Sequence, residues 1–462
     1  MSDLENKHIM VLGAGASGLS AARLACREGA SVCLADTGCG SRLLDTQRQL
    51  SAEGIRMETN WQPPAQHPEC DLCIVSPGVP DSSAMVNYFQ GLGCPVISEL
   101  EFGSRYCNGM KLAITGTNGK TTVVEMLTHC LETLGKSVRS CGNIGLPLSQ
   151  VALEKTNNDI LVVEVSSFQM ELTGHFPCQS AALLNITPDH LSRHGTMENY
   201  RDMKLRLLRQ VVPDGTCIVR SDILRDSAAA DALSGRKCLT FSSEADALAD
   251  YVVHDNALCR RIDGNYIKLL PLSALSYDGM HNYENCLAVI AMGESIGIPA
   301  AELAPHLTTF HIGPHRMEIV GEHNNVRFVN DSKATNLDAL VQSLRKFGNG
   351  SKDIALIAGG LTKGCNLEAA LPAMNTCVKG AFLIGTSRDE LATAWGRQIP
   401  CRRCDSLEDA FNQAVKCVED GGTVLLSPGC ASQDMFKDYI ERGSRFVDLV
   451  NRLRNHNEQE RK

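Results

Sequence analysis

The stretch Ile114-Thr-Gly-Thr-Asn-Gly-Lys-Thr-Thr122 constrains this chain more than any other. An apolar run, Lys111 to Thr115, leads into it, and Val123 to Leu134 after it repeats apolar residues at helical spacing. Strand, glycine turn, Lys-Thr and helix make a phosphate cradle. Loop N–H groups and a helix N-terminus face the anion, the lysine adds a full charge, and a threonine hydroxyl can hold Mg²⁺. The usual nucleotide loop has four residues between its glycines, whereas only Thr117 and Asn118 separate Gly116 from Gly119. Few families tolerate so short a loop.

A chain of 462 residues is expected to form roughly two to four domains. Its net charge of -9 argues against a duplex nucleic-acid binder, whose footprint would be basic, but not against locally bound phosphates. No apolar run approaches the roughly 18 residues of a membrane span. Met1 to Lys7 lacks the basic start and apolar stretch of a signal peptide, so a cytoplasmic location is expected. Most of the 20 cysteines, such as Cys33, Cys217, Cys286 and Cys417, stand singly in apolar runs as small core residues. The pairs Cys70/Cys73 and Cys401/Cys404 lie too far apart in sequence for a compact zinc module, and cytoplasmic thiols should be reduced.

In chain order, strand His8 to Leu12 meets Gly13-Ala-Gly-Ala-Ser-Gly18, a helix follows, and a second strand, Ala30 to Ala35, ends at Asp36. This is nearly a dinucleotide fingerprint, and alone it suggests a nicotinamide-dependent oxidoreductase. Physically it requires only a diphosphate at the helix start and a sugar hydroxyl near Asp36. Strand Leu72 to Val75 runs into Ser76-Pro-Gly-Val-Pro80, and the segment closes near Glu99 and Glu101. Beyond the phosphate loop, strand Ile160 to Val165 carries Glu164, placed as nucleotide-hydrolysing folds anchor Mg²⁺. His190 follows Asp189 in a polar turn, and Lys204 lies on a helix predicted from Glu198 to Val211. Strand Gly215 to Ser221 and a hairpin at Asp263-Gly264 come next. Asn282 and Asn285 share a helix face and offer amides to a purine edge. Later come a hairpin at Asn324-Asn325, the polar block Asn330 to Asn336, three strand–loop units, and a final helix predicted from Ser432 to Asp448. The tail from Asn455 to Lys462 is expected to be disordered. Alternating strands and helices imply three α/β domains with polar loops at strand C-termini.

The short loop Gly116 to Thr121 resembles that of the Mur ligases and folylpolyglutamate synthases. The blocks Glu164 to Gln169, Asn185 to His190, His281 to Asn285, Gly313 to Arg316 and Asn330 to Asn336 resemble the peptidoglycan ligases in order and spacing. The resemblance covers essentially the whole chain. It implies a Rossmann-like N-terminal domain (1–98), a central P-loop ATPase-like domain (99–312) and a Rossmann-like C-terminal domain (313–462). The Asp331 block and Leu426 to Ser432 look most like the members that add D-glutamate to UDP-MurNAc-L-Ala. The implied reaction converts the alanyl carboxylate into an acyl phosphate with ATP, after which the glutamate amine displaces phosphate.

By that resemblance Gly15, Ser17, Gly18, Asp36, Thr37, Ser76 and Gly78 hold the UDP-sugar, in place of a nicotinamide. Asn143, Ser166 and Gln169 line the muramoyl-alanine arm. Gly116, Thr117, Asn118, Gly119, Lys120, Thr121 and Thr122 hold the ATP phosphates, with Asn282, Asn285, Arg316 and Asp331 on the rest of the nucleotide. Thr121 and Glu164 ligate one Mg²⁺ and His190 a second, while a carbamylated Lys204 supports the metal site. Lys333, Thr335, Lys363, Ser432 and Tyr439 hold glutamate. Tyr439 replaces a frequent phenylalanine, and Gly359-Gly-Leu-Thr before Lys363 lacks an aspartate expected there. The resemblance further implies a monomer whose third domain swings on ligand binding. A ligase for L-glutamate or another amino acid is the alternative within this class. An oxidoreductase built on Gly13 to Asp36 is the alternative outside it, but it gives Lys120 and Glu164 no role.

Overall fold

The structure, a computed structural model, describes residues 4–154, 159–244, 246–418 and 421–460, with side chains as far as residue 455. Its strands form three sheets. The first holds β1 (His8–Leu12), β2 (Ser31–Ala35), β3 (Arg56–Glu58), β4 (Leu72–Val75) and β5 (Val96–Ser98), all parallel, in the order β3-β2-β1-β4-β5. Strands β1, β2 and β4 are almost continuously buried, as a sheet covered by helices on both faces requires.

The second sheet contains β6 (Met110–Thr115), β7 (Val138–Gly142), β8 (Ile160–Glu164), β9 (Cys178–Leu183), β10 (Val211–Arg220), β11 (Lys237–Ser242), β12 (Tyr251–His254), β13 (Ala257–Ile262) and β14 (Asn265–Pro271). Its order is β14-β13-β12-β11-β10-β9-β6-β8-β7, parallel up to β12, with β13 and β14 added as antiparallel hairpins. The predicted turn at Asp263-Gly264 joins β13 to β14. A second turn, at Asp255 and Asn256, joins β12 to β13 through two left-handed residues, which Asp and Asn tolerate better than most. The third sheet holds β15 (Glu318–His323), β16 (Val326–Asn330), β17 (Ile354–Gly359), β18 (Val378–Ile384), β19 (Cys401–Arg403) and β20 (Thr423–Leu426). It runs β15-β16-β20-β17-β18-β19 and is parallel except for the β15/β16 hairpin. Three α/β domains are therefore present.

The chain packs as two compact units, Met1–Ile186 with Glu198–Phe310, and Thr187–Met197 with His311–Lys462. Inside the first unit, the first two sheets are joined through helices Ala16–Arg27, Glu99–Ser104 and Leu148–Glu154. Ser98 caps helix Glu99–Ser104, and the buried Glu99 carboxylate accepts the Ser149 N–H (2.8 Å) at the start of helix Leu148–Glu154. Glu101 accepts the N–H groups of Gly174 (2.7 Å) and His175 (3.0 Å). Arg27, at the end of helix Ala16–Arg27, donates to the carbonyls of Ala152 and Leu153.

The final helix differs from expectation. It begins at Tyr439, not Ser432, because the Asp438 carboxylate accepts the Glu441 N–H (2.9 Å) as a cap, while the Ser432 carbonyl closes a turn onto Met435 and Phe436. It then continues to Glu460, so the tail expected to be disordered is helical through that residue; 461 and 462 lie outside the described residues. Strand β10 is also longer than predicted, starting at Val211, and the helix before it, Met197–Leu208, is correspondingly shorter.

The pairing of helices Glu99–Ser104 and Leu148–Glu154 gives a stability test. A Cβ on Gly103 would lie 2.5 Å from the Ser149 nitrogen and 2.7 Å from the Leu148 carbonyl carbon, both backbone atoms. Helix propensity favours Gly→Ala by about 1 kcal/mol, whereas overpacking against backbone costs about 1–3 kcal/mol. Gly103→Ala is therefore expected to destabilise, read as a lower urea midpoint in chemical denaturation.

Candidate functional site

In the central domain the sequence-predicted phosphate loop sits at the C-terminal end of β6, and Lys120 opens helix Lys120–Thr133. Gly119 caps that helix in the left-handed region (φ +85°), and a Cβ there would meet Asn285 Oδ1 at 2.6 Å. This close approach requires glycine. Asn185, just past β9, braces the loop. Its carbonyl accepts the Thr117 N–H (3.0 Å), its Oδ1 accepts the Asn118 N–H (2.8 Å), and its Nδ2 donates to the Asn118 carbonyl (3.1 Å). Lys120 Nζ folds back onto the Gly116 (2.9 Å) and Thr117 (2.8 Å) carbonyls.

Lys204 is 2% exposed, and its Nζ donates to the Gly116 carbonyl (2.7 Å) over the ring of Tyr200, whose hydroxyl meets Thr117 Oγ1 (3.1 Å). A lysine that no local signal marked in the sequence thus lies against the phosphate loop. Glu164 ends β8, with Ile114 of β6 paired beside it. Its Oε1 accepts from Asn143 Nδ2 (2.9 Å), and Oε2 is buried with no hydrogen-bond partner. Buried carboxylate oxygens are normally satisfied. An orphaned one on the strand beside the one that leads into the phosphate loop suits a hard divalent cation, since Mg²⁺ is usually held by one or two carboxylates together with substrate phosphates and water. Among the described residues no group of three or more His, Cys, Asp or Glu is arranged to hold a metal by itself. Ser166 and Gln169 form a reciprocal capping box on helix Ser167–Met170, and Asn282 Nδ2 donates to the Asp278 carbonyl.

In the N-terminal domain the glycine loop is organised by Asp36. Its two carboxylate oxygens accept the N–H groups of Ala14 and Gly38 (2.8 Å each). Ser76 donates to the Gly13 carbonyl (3.0 Å), and a Cβ on Gly18 would lie 1.9 Å from that same oxygen. Gly15 has open space around it at the helix start, and Gly78 and Thr37 are exposed nearby in the loops after β4 and β2.

The second unit assembles its own group. Lys363 Nζ contacts Asp189 Oδ1 (3.2 Å) and His190 Nε2 (3.3 Å), and Asn336 Nδ2 donates to Asp189 Oδ2 (3.1 Å). Burial raises the Asp189 pKa, but the Lys363 and His190 charges and the Asn336 hydrogen bond outweigh it and hold the carboxyl below its ordinary value. Lys333 Nζ lies over the Tyr439 ring, 4.1 Å from its centroid. The Gly313 to Arg316 loop is tied to the Asp331 block by Lys333 N–H to the His315 carbonyl (3.0 Å) and by Asn330 Nδ2 with His315 Nδ1 (2.8 Å). Thr335 is half-buried, and Ser432 is buried in the loop after β20.

The family model for the Mur ligase middle domain matches residues 114–293, and that for the Mur ligase glutamate ligase domain matches 315–430. Together they cover more than half of the chain. It belongs to the Mur ligase family. A UDP-N-acetylmuramoylalanine--D-glutamate ligase of Acidobacterium capsulatum is 36% identical over 450 residues, covering 97% of each chain. One from Pelotomaculum thermopropionicum is 35% identical over 461 residues, covering 97% of this chain and 98% of its own. Among solved structures, the UDP-N-acetylmuramate-alanine ligase MurC of Thermotoga maritima aligns with TM-score 0.58 at 20% identity, over 96% of this chain and 99% of its own. The MurF ligase of Thermotoga maritima in complex with ADP aligns with TM-score 0.57 at 17% identity, over 97% and 95%. These last two bear on the fold alone.

In this Mur ligase, three braces escaped the sequence. Asn185 and Tyr200 hold the phosphate loop, and both were legible only as members of a motif or a helix. Arg442, fully buried, is the third. Its guanidinium donates to Ser332 Oγ (3.0 Å) and to the carbonyls of Ser332 (2.8 Å), Cys430 (3.2 Å) and Gly359 (3.4 Å), so one side chain ties three loops.

Asp331 is buried beneath the same loops. It accepts from Ser427 Oγ (3.0 Å), Ser343 Oγ and the Met317 N–H (3.1 Å), and burial pushes its pKa from 3.8 up to about 7. A raised folded-state value means that the native state binds more protons than the unfolded chain between those limits. Stability contributed by this group is present below about pH 4 and is lost as the pH rises through about 7. The stability of wild type relative to Asp331→Asn should therefore fall across that window, by at most about 1.4 kcal/mol per pH unit. Urea unfolding followed by Trp395 fluorescence in a Trp61→Phe background checks this; a flat difference would refute it.

Proposed function

We propose that this chain is an ATP-dependent ligase that joins D-glutamate to UDP-N-acetylmuramoyl-L-alanine, a peptidoglycan precursor. The carrying observation is the two-residue phosphate loop with the open Glu164 oxygen on the neighbouring strand. Near-full-length likeness to ligases of that name supports the choice of substrates. In the first step an alanyl carboxylate oxygen bonds to the γ-phosphorus of ATP and the bond to the ADP oxygen breaks. In the second step the glutamate amine, after losing a proton, adds to the acyl carbon, and inorganic phosphate leaves as the amide forms. Converging anions must be neutralised and aligned, so positioning and fixed positive groups supply most of the catalysis.

Residue roles follow by domain, with boundaries at 1–98, 99–312 and 313–462. Gly15, Ser17, Gly18, Thr37, Ser76 and Gly78 receive the UDP-sugar, with Asp36 shaping that loop and offering its remaining lone pairs. Asn143, Ser166 and Gln169 flank the muramoyl-alanine arm. Gly116 to Thr122 cradle the phosphates, and Lys120 turns from its loop carbonyls to the anion. Asn282, Asn285 and Arg316 serve the nucleotide; Asp331, expected there too, has both oxygens engaged by Met317, Ser343 and Ser427 and acts through the loop it holds. Lys333, Thr335, Lys363, Ser432 and Tyr439 serve the glutamate carboxylates.

Thr121 and Glu164 would hold Mg²⁺, which supplies charge neutralisation on the phosphates when bound. His190 is assigned to a second ion, and the Lys363 ammonium beside it must then turn to its own anionic ligand. Lys204 is assigned a carbamate, formed when its neutral amine adds CO₂ and releases a proton. Its burial against the phosphate loop, where a fixed cation would oppose a metal ion, favours that assignment.

Two experiments test this reading. Purified protein given ATP, Mg²⁺ and UDP-MurNAc-L-Ala should release ADP with D-glutamate and not with L-glutamate; the reverse preference refutes the substrate assignment. Lys120→Ala should lower turnover roughly 100-fold or more with the circular dichroism spectrum unchanged. Undiminished turnover would remove the phosphate loop from the mechanism.

A further inference from the structure

The sequence pairs Cys70 with Cys73, but the structure pairs it with Cys94. The two sulfur atoms are 2.7 Å apart, Cys70 preceding β4 and Cys94 preceding β5, the adjacent strand. A disulfide needs about 2.05 Å, so the bond requires an approach of well under 1 Å. Cys73 is fully buried, its nearest place in sequence notwithstanding, and Cys70 is partly open to solvent. All the cysteines are free thiols.

We propose that Cys70 and Cys94 form a reversible disulfide, an oxidation site in the N-terminal domain that peroxides close and small thiols reopen. The two sulfurs are chemically unequal. The Cys94 hydrogen bond, together with the Met10 and Leu72 N–H groups, holds the Cys70 thiol below its ordinary pKa against its partial burial, while the same contact and burial push Cys94 up. Cys70, the sulfur partly open to solvent, is the attacking thiolate, and the buried Cys94 is the resolving thiol.

In the first step Cys70 sulfur bonds to one peroxide oxygen, the O–O bond breaks, and the departing hydroxide takes up a proton as water. Cys70 is then a sulfenic acid. Cys94 sulfur next bonds to Cys70 sulfur, the S–O bond breaks, and water leaves with the Cys94 proton. The two thiols lose two electrons to one hydrogen peroxide, which becomes two waters. Reopening transfers the disulfide to two molecules of a small thiol such as glutathione.

The test uses the full chain, reduced, desalted and titrated with hydrogen peroxide, then denatured with N-ethylmaleimide. Joint digestion with trypsin and an Asp-specific protease places the three cysteines on separate peptides, Met57 to Cys70, Asp71 to Pro80 and Asp81 to Arg105. The first and third peptides should appear linked, two hydrogens lighter than their sum, at the lowest dose that oxidises any of the 20 cysteines, and glutathione should return both to the alkylated form. Prior oxidation of the exposed Cys39, a Cys70–Cys73 link, or over-oxidised Cys70 beside alkylated Cys94 would each overturn the proposal. In Cys94→Ser, Cys70 should accumulate as a dimedone-reactive sulfenic acid; the wild-type peptide map decides the matter alone if that variant does not fold.

Discussion

Asn185 makes the phosphate loop possible. A cradle needs backbone N–H groups that face an anion, so the loop cannot satisfy itself as a helix or a strand would. Asn185 supplies internal partners to Thr117 and Asn118 from the end of β9. Strand order does the rest. With β9 on one side of β6 and β8 on the other, Asn185 and Glu164 emerge at the same edge of the sheet as the loop. The return helix Met197–Leu208 then brings Tyr200 and Lys204 onto the loop from below.

Buried charge separates two kinds of work in this molecule. Asp331 and Arg442 have their polar atoms taken up by internal partners, and both hold loops in register. Glu164 has one oxygen fixed by Asn143 and the other unanswered. An unpaired oxygen alone does not mark a site, since Glu99 has one too, at a helix joint with no phosphate loop beside it. Neighbouring chemistry decides: the Glu164 oxygen lies at the edge where an anion is to be received, and a cation there would answer both charges at once.

Much of this was legible in the sequence because two periodicities were strong. Strand–helix alternation gave three α/β domains, and the glycine loops at strand ends marked the right edges of the sheets. Local capping chemistry was harder to read. The apolar spacing from Ser432 onward suggested a helix, but Asp438 takes the cap and delays it to Tyr439. Asp36, read as a sugar ligand, also accepts two backbone amides that shape the loop, a second role the fingerprint did not announce. Cys70 looked like half of a Cys-x-x-Cys motif, whereas strand pairing brings a residue 24 positions away into contact. The Asp438 cap is a local contact that the apolar spacing overrode, whereas the partners of Cys70, Asn185, Tyr200 and Arg442 lie far away in sequence, where no local pattern encodes them.

That distance explains why the braces and the motifs carry different residue types. The glycine loops at the strand ends are rich in glycine, serine and threonine, residue types suited to recognition through backbone amides and close approach. The side chains that hold such loops must reach across elements and satisfy several groups at once, which favours Asn, Asp and Arg. Arg442 is the extreme case. A guanidinium sealed from water would be costly alone, and desolvation does lower its pKa to about 10. Oxygen acceptors from three separate loops offset that cost only when all three loops are in place. The buried charge therefore stabilises one arrangement of the third domain's loops over the others and sets them before any ligand arrives.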